Sequence, residues 1–188
     1  MAQLILECLA GDEKAIERLF QSHHKLIFRL SLSILDDADE AEDATQEALM
    51  AALRALDTYR GDSSLTTWLQ AITVNVCRSR LRKRRTLERL RGALRSLFLL
   101  SGEEQDHPEQ RVIHKETDLK LWKAVQALNE KHRLPVILRY YHDLPISKIA
   151  EVLGISQGTI HSRLYTARKR LRDLLKEESK FPKEASDE

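Results

Sequence analysis

Apolar residues recur along this chain at intervals of three and four, with no sustained alternation, which is the periodicity of amphipathic helices and not of strands. A short helix is predicted from Leu4 to Ala10, broken at Gly11-Asp12. A longer one spans Glu13 to Leu35, with Ile16, Leu19, Phe20, Ile27, Leu30 and Ile34 as its apolar stripe. Asp36-Asp37-Ala38-Asp39 caps a third helix whose stripe is Ala41, Ala44, Ala48, Leu49, Ala52 and Leu53. The loop Gly61-Asp62-Ser63-Ser64 supplies an N-cap for a fourth, from Leu65 to Arg85. Six glycines and four prolines in 188 residues leave little turn chemistry for a sheet. Residues 1–85 are long enough for a helical bundle with a core of its own.

The pattern weakens over residues 86–111. An apolar patch, Leu97-Phe98-Leu99-Leu100, is followed by the polar, proline-containing SGEEQDHPEQ, which reads as a linker. A second domain is expected over residues 112–175 and a charged, disordered tail over 176–188. The expected architecture is all-α: two small helical domains joined by a flexible linker.

Residues 144–172 carry the most specific local signal. Ile146, Ile149, Ala150 and Leu153 give a helix of two turns one apolar face. Gly154 can take the positive φ of a tight turn, Ile155 anchors it, and Ser156 caps the next helix. Ile160, Leu164, Ala167 and Leu171 form that helix's inward face. A small residue, a turn glycine and a branched residue at Ala150, Gly154 and Ile160 suit two closely crossing helices, the helix-turn-helix. The outward face of the second helix holds Gln157, Thr159, His161, Ser162, Arg163, Tyr165, Thr166, Arg168 and Lys169. Short polar groups near a helix start reach base edges in a major groove, and the later cations neutralise phosphates. An ordinary solvated surface helix is the bland alternative.

Charge sharpens this picture. The formal net charge of +2 hides strong blocks: residues 1–77 carry 6 Lys/Arg against 13 Asp/Glu, residues 78–95 carry 9 against 1, and residues 131–175 carry 9 against 3. Basic blocks suit a polyanion, and the acidic half suits a protein partner. Cys8 and Cys77 have neither disulfide-framework nor zinc spacing. No apolar run spans a bilayer and no signal-peptide pattern opens the chain, so a cytoplasmic protein without membrane insertion is expected. No nucleophile–base pair, metal triad or phosphate-cradling glycine loop is evident, so neither an enzyme nor a cofactor is expected. His23 and His24 occupy adjacent helical positions and cannot share a face. Clustered carboxylates at 39–47 could suggest a metal, but no histidine is near them in the chain and no loop offers carbonyl ligands.

Two stretches, ADEAEDATQEALMAALRAL and YRGDSSLTTWLQAITVNVCRSRLRKRR, resemble the extracytoplasmic-function group of bacterial RNA polymerase sigma factors, whose motifs run approximately DAEDxxQExF and RGxSxFxTWLxxIAxNxxxDxxR. ALNEKHRLPVILRYYHDLPISKIAEVLGISQGTIHSRLYTARKRLR resembles that family's second domain. The resemblance covers most of residues 5–172. It implies a subunit that confers promoter specificity on RNA polymerase. A stand-alone helix-turn-helix regulator is the alternative, and it would require a sensory domain in front, where the RGDSSLTTWL motif stands instead.

The resemblance assigns roles. Asp39, Glu42, Asp43, Gln46 and Glu47 would dock on the clamp helices of the polymerase's largest subunit. Ser63, Ser64, Leu65, Trp68, Asn75, Arg78 and Arg82 would read the melted −10 strand, with Arg78, Arg80, Arg82, Lys83, Arg84 and Arg85 as a phosphate track. Ser156, Gln157, Thr159, His161, Ser162, Arg163, Tyr165, Arg168 and Lys169 would hold the −35 duplex. An anti-sigma partner is implied, with Leu97–Leu100 as a candidate surface. Five positions depart from the family: Leu65 stands for a loop aromatic, Leu53 for a tryptophan, Pro145 for a capping serine, and His161 and Thr166 occupy positions that are often basic.

Overall fold

A computed structural model describes residues 2–98 and 116–180, and every regular element among them is helical. The chain divides into two compact units, residues 1–110 and 111–188.

In the first unit, α1 (Ala2–Leu9), α2 (Glu13–Leu35), α3 (Ala38–Arg54) and α4 (Leu65–Phe98) pack together, with a 3₁₀ turn at Leu56–Thr58. The ends of α2 are written in the sequence. Asp12 accepts from the amides of Lys14 and Ala15, and Asp36 closes the helix in the left-handed region at φ +58°. Asp37 then accepts from the Glu40 amide and starts α3. Ala15, Leu19, Ile27, Ala48, Leu49, Ala52, Leu56, Leu65 and Leu69 form the core, with Leu53 and Trp68 packed against it. The small residues of α3 let α2 and α4 approach closely. Leu53, where the family favours tryptophan, is a partly buried core residue.

Two boundaries differ from expectation. Helix α4 does not stop at Arg85 but continues to Phe98, into the stretch read as linker. Leu81 is buried, and residues 82–90 after it are all exposed. That part is a solvated helix built of strong helix formers and an Arg84–Glu88 pair at i,i+4, and even its leucines, Leu87 and Leu90, are exposed, so it adds nothing to the core of the bundle. The last helix likewise runs on to Lys180, past the expected start of the tail. Leu99 and Leu100, the SGEEQDHPEQ stretch and residues 181–188 lie outside the described residues, as do the side chains of Leu97 and Phe98.

The second unit contains α5 (Glu116–Ala127), α6 (Glu130–Val136), α7 (Ile146–Leu153) and α8 (Gln157–Lys180). Pro135 lies inside α6, where it cannot donate to the carbonyl of Lys131. Directly after it the backbone widens into a π-helical segment, Ile137–Tyr141, closed by the His142 amide on the Ile137 carbonyl at 3.2 Å. Leu134, Ile137, Leu138, Ile149, Val152, Ile160, Leu164 and Ala167 make the core, and Trp122 packs at a tilt on Tyr141. On α7 the buried residues are Ile149 and Val152, while Ile146, Ala150 and Leu153 are half-buried.

Candidate nucleic-acid interface

The turn between α7 and α8 fixes where α8 begins. Gly154 adopts φ +63°, and its amide reaches back to the Glu151 carbonyl; the Ile155 amide bonds the Ala150 carbonyl at 3.1 Å. Ser156 Oγ then accepts from the Thr159 amide at 3.2 Å and shares a hydrogen bond with Thr159 Oγ1. With Ile160, Leu164 and Ala167 buried against the rest of the unit, the opposite face of α8 is forced outward. Gln157, His161, Ser162, Tyr165, Arg168 and Lys169 are exposed, and Thr159, Arg163 and Thr166 are half-buried. Among the described residues Tyr165 is the most open of the exposed large hydrophobic side chains, at 70%. Pro145 caps α7 with no side-chain bond, in extended conformation, as a first-turn proline allows. A helix start lined with short polar groups and followed by cations can address base edges and phosphates together.

In the first unit, α3 carries Asp39, Glu42, Asp43, Gln46 and Glu47 on one face by their i, i+3 and i+4 spacing. All are exposed except the half-buried Glu42. Two contacts across the bundle were not foreseen. His24 Nε2 lies 3.2 Å from Glu42 Oε1 while its ring stacks on Phe28. A histidine therefore does stand beside the acidic helix, although its distance in the chain suggested otherwise. Among the described residues no three metal-ligating side chains converge. Arg80, assigned above to a phosphate track, instead turns to α3, with Nη2 2.8 Å from Glu47 Oε2 and Nη1 3.6 Å from Asp43 Oδ2. These pairs link residues 18 to 37 apart in the chain, beyond the reach of any local spacing rule. His23 is buried with Nδ1 against the Leu19 carbonyl, so the two histidines do face apart.

The residues read for −10 contact divide into two groups. Ser64 Oγ accepts from the Thr67 amide at 3.1 Å and caps α4, and the Ser63 carbonyl accepts from the Tyr59 hydroxyl at 2.7 Å. Leu65 is 3% exposed and belongs to the core. This corrects its reading as a base contact, because it offers no surface to one. Trp68 packs against that core and on Tyr59, with ring centroids 5.3 Å apart, and only part of it is open. Asn75 and Arg82 are exposed and Arg78 is half-buried on α4. At i, i+3 and i+7 they share one face, continued by Arg85, while the equally exposed Lys83 and Arg84 turn away around the helix.

A group in the second unit escaped the sequence reading. Lys131 and the buried His132 of α6 border, with the start of α8, a groove of about 550 Å³. The only local signal was two basic-type residues at one helix start.

Comparison with known proteins bears on both units. The family description "Sigma-70 region 2" matches residues 19–86 and "Sigma-70, region 4" matches residues 118–171. The chain is 33% identical to the RNA polymerase sigma-H factor of Pseudomonas aeruginosa, over 93% of this chain and 95% of that one. It is 30% identical to the ECF RNA polymerase sigma factor SigM of Mycobacterium tuberculosis, over 93% and 84%. Among solved structures it resembles the sigma factor RpoE of Bartonella quintana, seen in complex with the anti-sigma factor NepR, with TM-score 0.62, 28% identity, and coverage of 87% of this chain and 98% of that one. With helical units of the expected order matching both sigma-70 regions, and relatives at this identity aligned over nearly their whole length, the chain belongs to the ECF group of RNA polymerase sigma factors.

Proposed function

We propose that this sigma factor binds core RNA polymerase through the acidic face of α3 and directs it to promoters, reading the −35 duplex with α8 and the melted −10 strand with α4. The observation that carries the reading is the α7–α8 turn: Gly154 and Ser156 set the start of α8 so that Gln157, His161, Ser162 and Tyr165 all face outward. Asp39, Glu42, Asp43, Gln46 and Glu47 supply the docking face. Asn75, Arg78 and Arg82, with Ser63, Ser64 and the open edge of Trp68, supply the −10 surface. Ser156, Thr159, Arg163, Arg168 and Lys169 complete the −35 surface. Functionally the chain divides into residues 1–85 for docking and −10 readout and residues 112–175 for −35 readout, with 86–111 between them.

The bond-making chemistry belongs to the polymerase, and the chain acts as a specificity subunit and not as an enzyme. Action on promoters with core polymerase places the chain in the cytoplasm; among the described residues no helix is long and apolar enough to cross a membrane. An anti-sigma protein that covers these surfaces when the factor is idle fits the resemblance to RpoE, which was solved with one. The test is run-off transcription by core polymerase on a library of upstream sequences. Transcripts that start at a common motif only when the chain is added are expected. If core polymerase starts at the same sites without it, the reading fails.

A further inference from the structure

We propose that the groove walled by Lys131 and His132 of α6 and by Ser156, Thr159, Ser162 and Arg163 at the start of α8 seats one phosphate of the duplex backbone, with the His132 imidazole forming part of the seat. This deepens the −35 reading above and rests on it for the identity of the polyanion.

Three independent features converge there. Every side chain bordering the groove is polar or charged, and Lys131 and Arg163 are both cations. The groove opens at the N-terminus of a 24-residue helix, where first-turn amides lack intrahelical acceptors and the helix dipole favours an anion. The third feature is the imidazole. His132 is only 5% exposed, yet its Nδ1 has no hydrogen-bond partner. A buried polar atom without a partner costs free energy that a bound acceptor would recover. An anion at the groove meets all three needs, whereas a neutral base edge offers acceptors without the charge that the cations and the helix terminus favour, and an apolar side chain offers neither.

The seat also has a protonation signature. Burial, followed by the charges of Arg170, Lys131 and Arg163, pushes the His132 pKa down. Arg170 and Arg163 come from α8, and Lys131 lies on the same helix as His132. Among the described residues, α5 and the π-helical segment add no charge that acts on it. A phosphate in the groove brings the opposite sign and favours the imidazolium. The bound-state pKa therefore lies above the free-state one, and binding takes up a proton between the two. Affinity rises as pH falls through the bound-state pKa and levels off below the free-state one.

The test is duplex binding by the full chain with core polymerase, followed by fluorescence anisotropy on −35 DNA against pH and salt. Wild type is expected to bind more tightly at mildly acidic than at mildly alkaline pH. His132→Leu should lose that dependence while still ranking duplexes in the same order. Lys131→Ala, at an exposed position that keeps the test alive if His132→Leu does not fold, should weaken all sequences by a common factor. It should also make the slope of log affinity against log salt shallower by about 1. A methylphosphonate at a single backbone position should reproduce the His132→Leu behaviour in the wild-type protein. If both variants keep wild-type pH and salt dependence on a duplex that is still read specifically, the seat is overturned and the promoter reading stands. If inorganic phosphate shifts the His132 ring resonance and no methylphosphonate position matters, the assignment to DNA is overturned. If wild-type holoenzyme shows no preference for any −35 sequence, both fall.

Discussion

Arg80 forks onto Glu47, with Nε and Nη2 standing 2.9 and 2.8 Å from the same carboxylate oxygen, and so ties α4 to the acidic face of α3. Asp43 shares the same guanidinium at 3.6 Å. Two of the acids read as the polymerase-docking face thus meet a cation of their own chain first. The pair is solvent-accessible, with the Arg80 side chain 28% and the Glu47 side chain 48% exposed, so its net contribution is small, on the order of 0.5 kcal/mol. A contact this weak can yield to a better-placed partner cation without unfolding the bundle.

The docking face can therefore be separated from the fold. Asp43→Lys combined with Glu47→Lys should abolish co-purification with core polymerase while helical circular dichroism stays at the wild-type level. Arg80→Ala should leave core binding intact or strengthen it, because it frees both acids, and should lower unfolding stability by less than about 1 kcal/mol. Normal core binding by the double lysine variant would remove α3 from the docking account.

At the α7–α8 turn the expected effects are conformational. Gly154→Ala places a side chain at φ +63°, where L-residues cost roughly 1 kcal/mol or more, although no atom lies within 4 Å of the new Cβ. Gly154→Asn should cost less, because asparagine tolerates the left-handed region. Ser156→Ala removes the acceptor for the Thr159 amide and should cost about 1 kcal/mol. Urea denaturation of the full chain ranks the three. Equal stability of the alanine and asparagine variants at 154 would mean that the left-handed backbone conformation does not set the cost there.

How far the chain could be read depended on whether a residue's role is periodic. Helix α2 was legible to the residue, because an apolar stripe lies between two aspartates that each have a cap's chemistry. The α7–α8 turn was legible because a glycine takes its positive φ most readily and the following serine suits its cap. Val152, buried on α7, was missed because the stripe was drawn through Ala150 and Leu153 instead. The extension of α4 past Arg85 was missed because residues 82–90 are all exposed, and an end drawn where the packed core stops marks burial, not helicity. Leu65 was misassigned because the motif places a DNA-facing residue there, whereas a leucine at a helix start next to the core follows its own hydrophobicity inward. The pairing of Arg80 with α3 and the groove beside His132 were invisible, because each depends on a helix far away in the chain.

Cys77 gives a pH-dependent expectation. Burial pushes its thiol up to about 11, partly offset by the Ser31 hydroxyl and by Arg80, with Glu47 adding to the rise. In the unfolded chain the thiol titrates near its ordinary value, about 8.5. Between these values the folded state holds a proton that the unfolded state has lost, so stability falls as pH rises through the window and is unaffected below it. Cys77→Ala should flatten that decline between about pH 9 and 11 at some cost in packing. Denaturant midpoints of both proteins across the alkaline range test this. In the wild type, labelling of Cys77 by a thiol reagent at neutral pH should track unfolding, and rapid labelling of the folded chain would contradict its burial.

Asn75 separates opening from docking. It is exposed on α4, one turn before Arg78 and two before Arg82, and on a different face from the Arg80 that pairs with α3. An amide at that place can hydrogen-bond the edge of a base that has left the stack, while the arginines beyond it hold the strand's phosphates. That contact exists only once the duplex has melted. Asn75→Ala should therefore leave core affinity and closed-complex formation close to wild type and reduce the open complex, read as permanganate reactivity of bubble thymines. Arg82→Ala should also weaken opening, but with a shallower dependence on salt, because it loses a phosphate contact and not a base contact. If Asn75→Ala opens promoters at the wild-type level, the base contact lies elsewhere on α4. If it weakens core binding as well, this face of the helix belongs to the polymerase and not to the DNA.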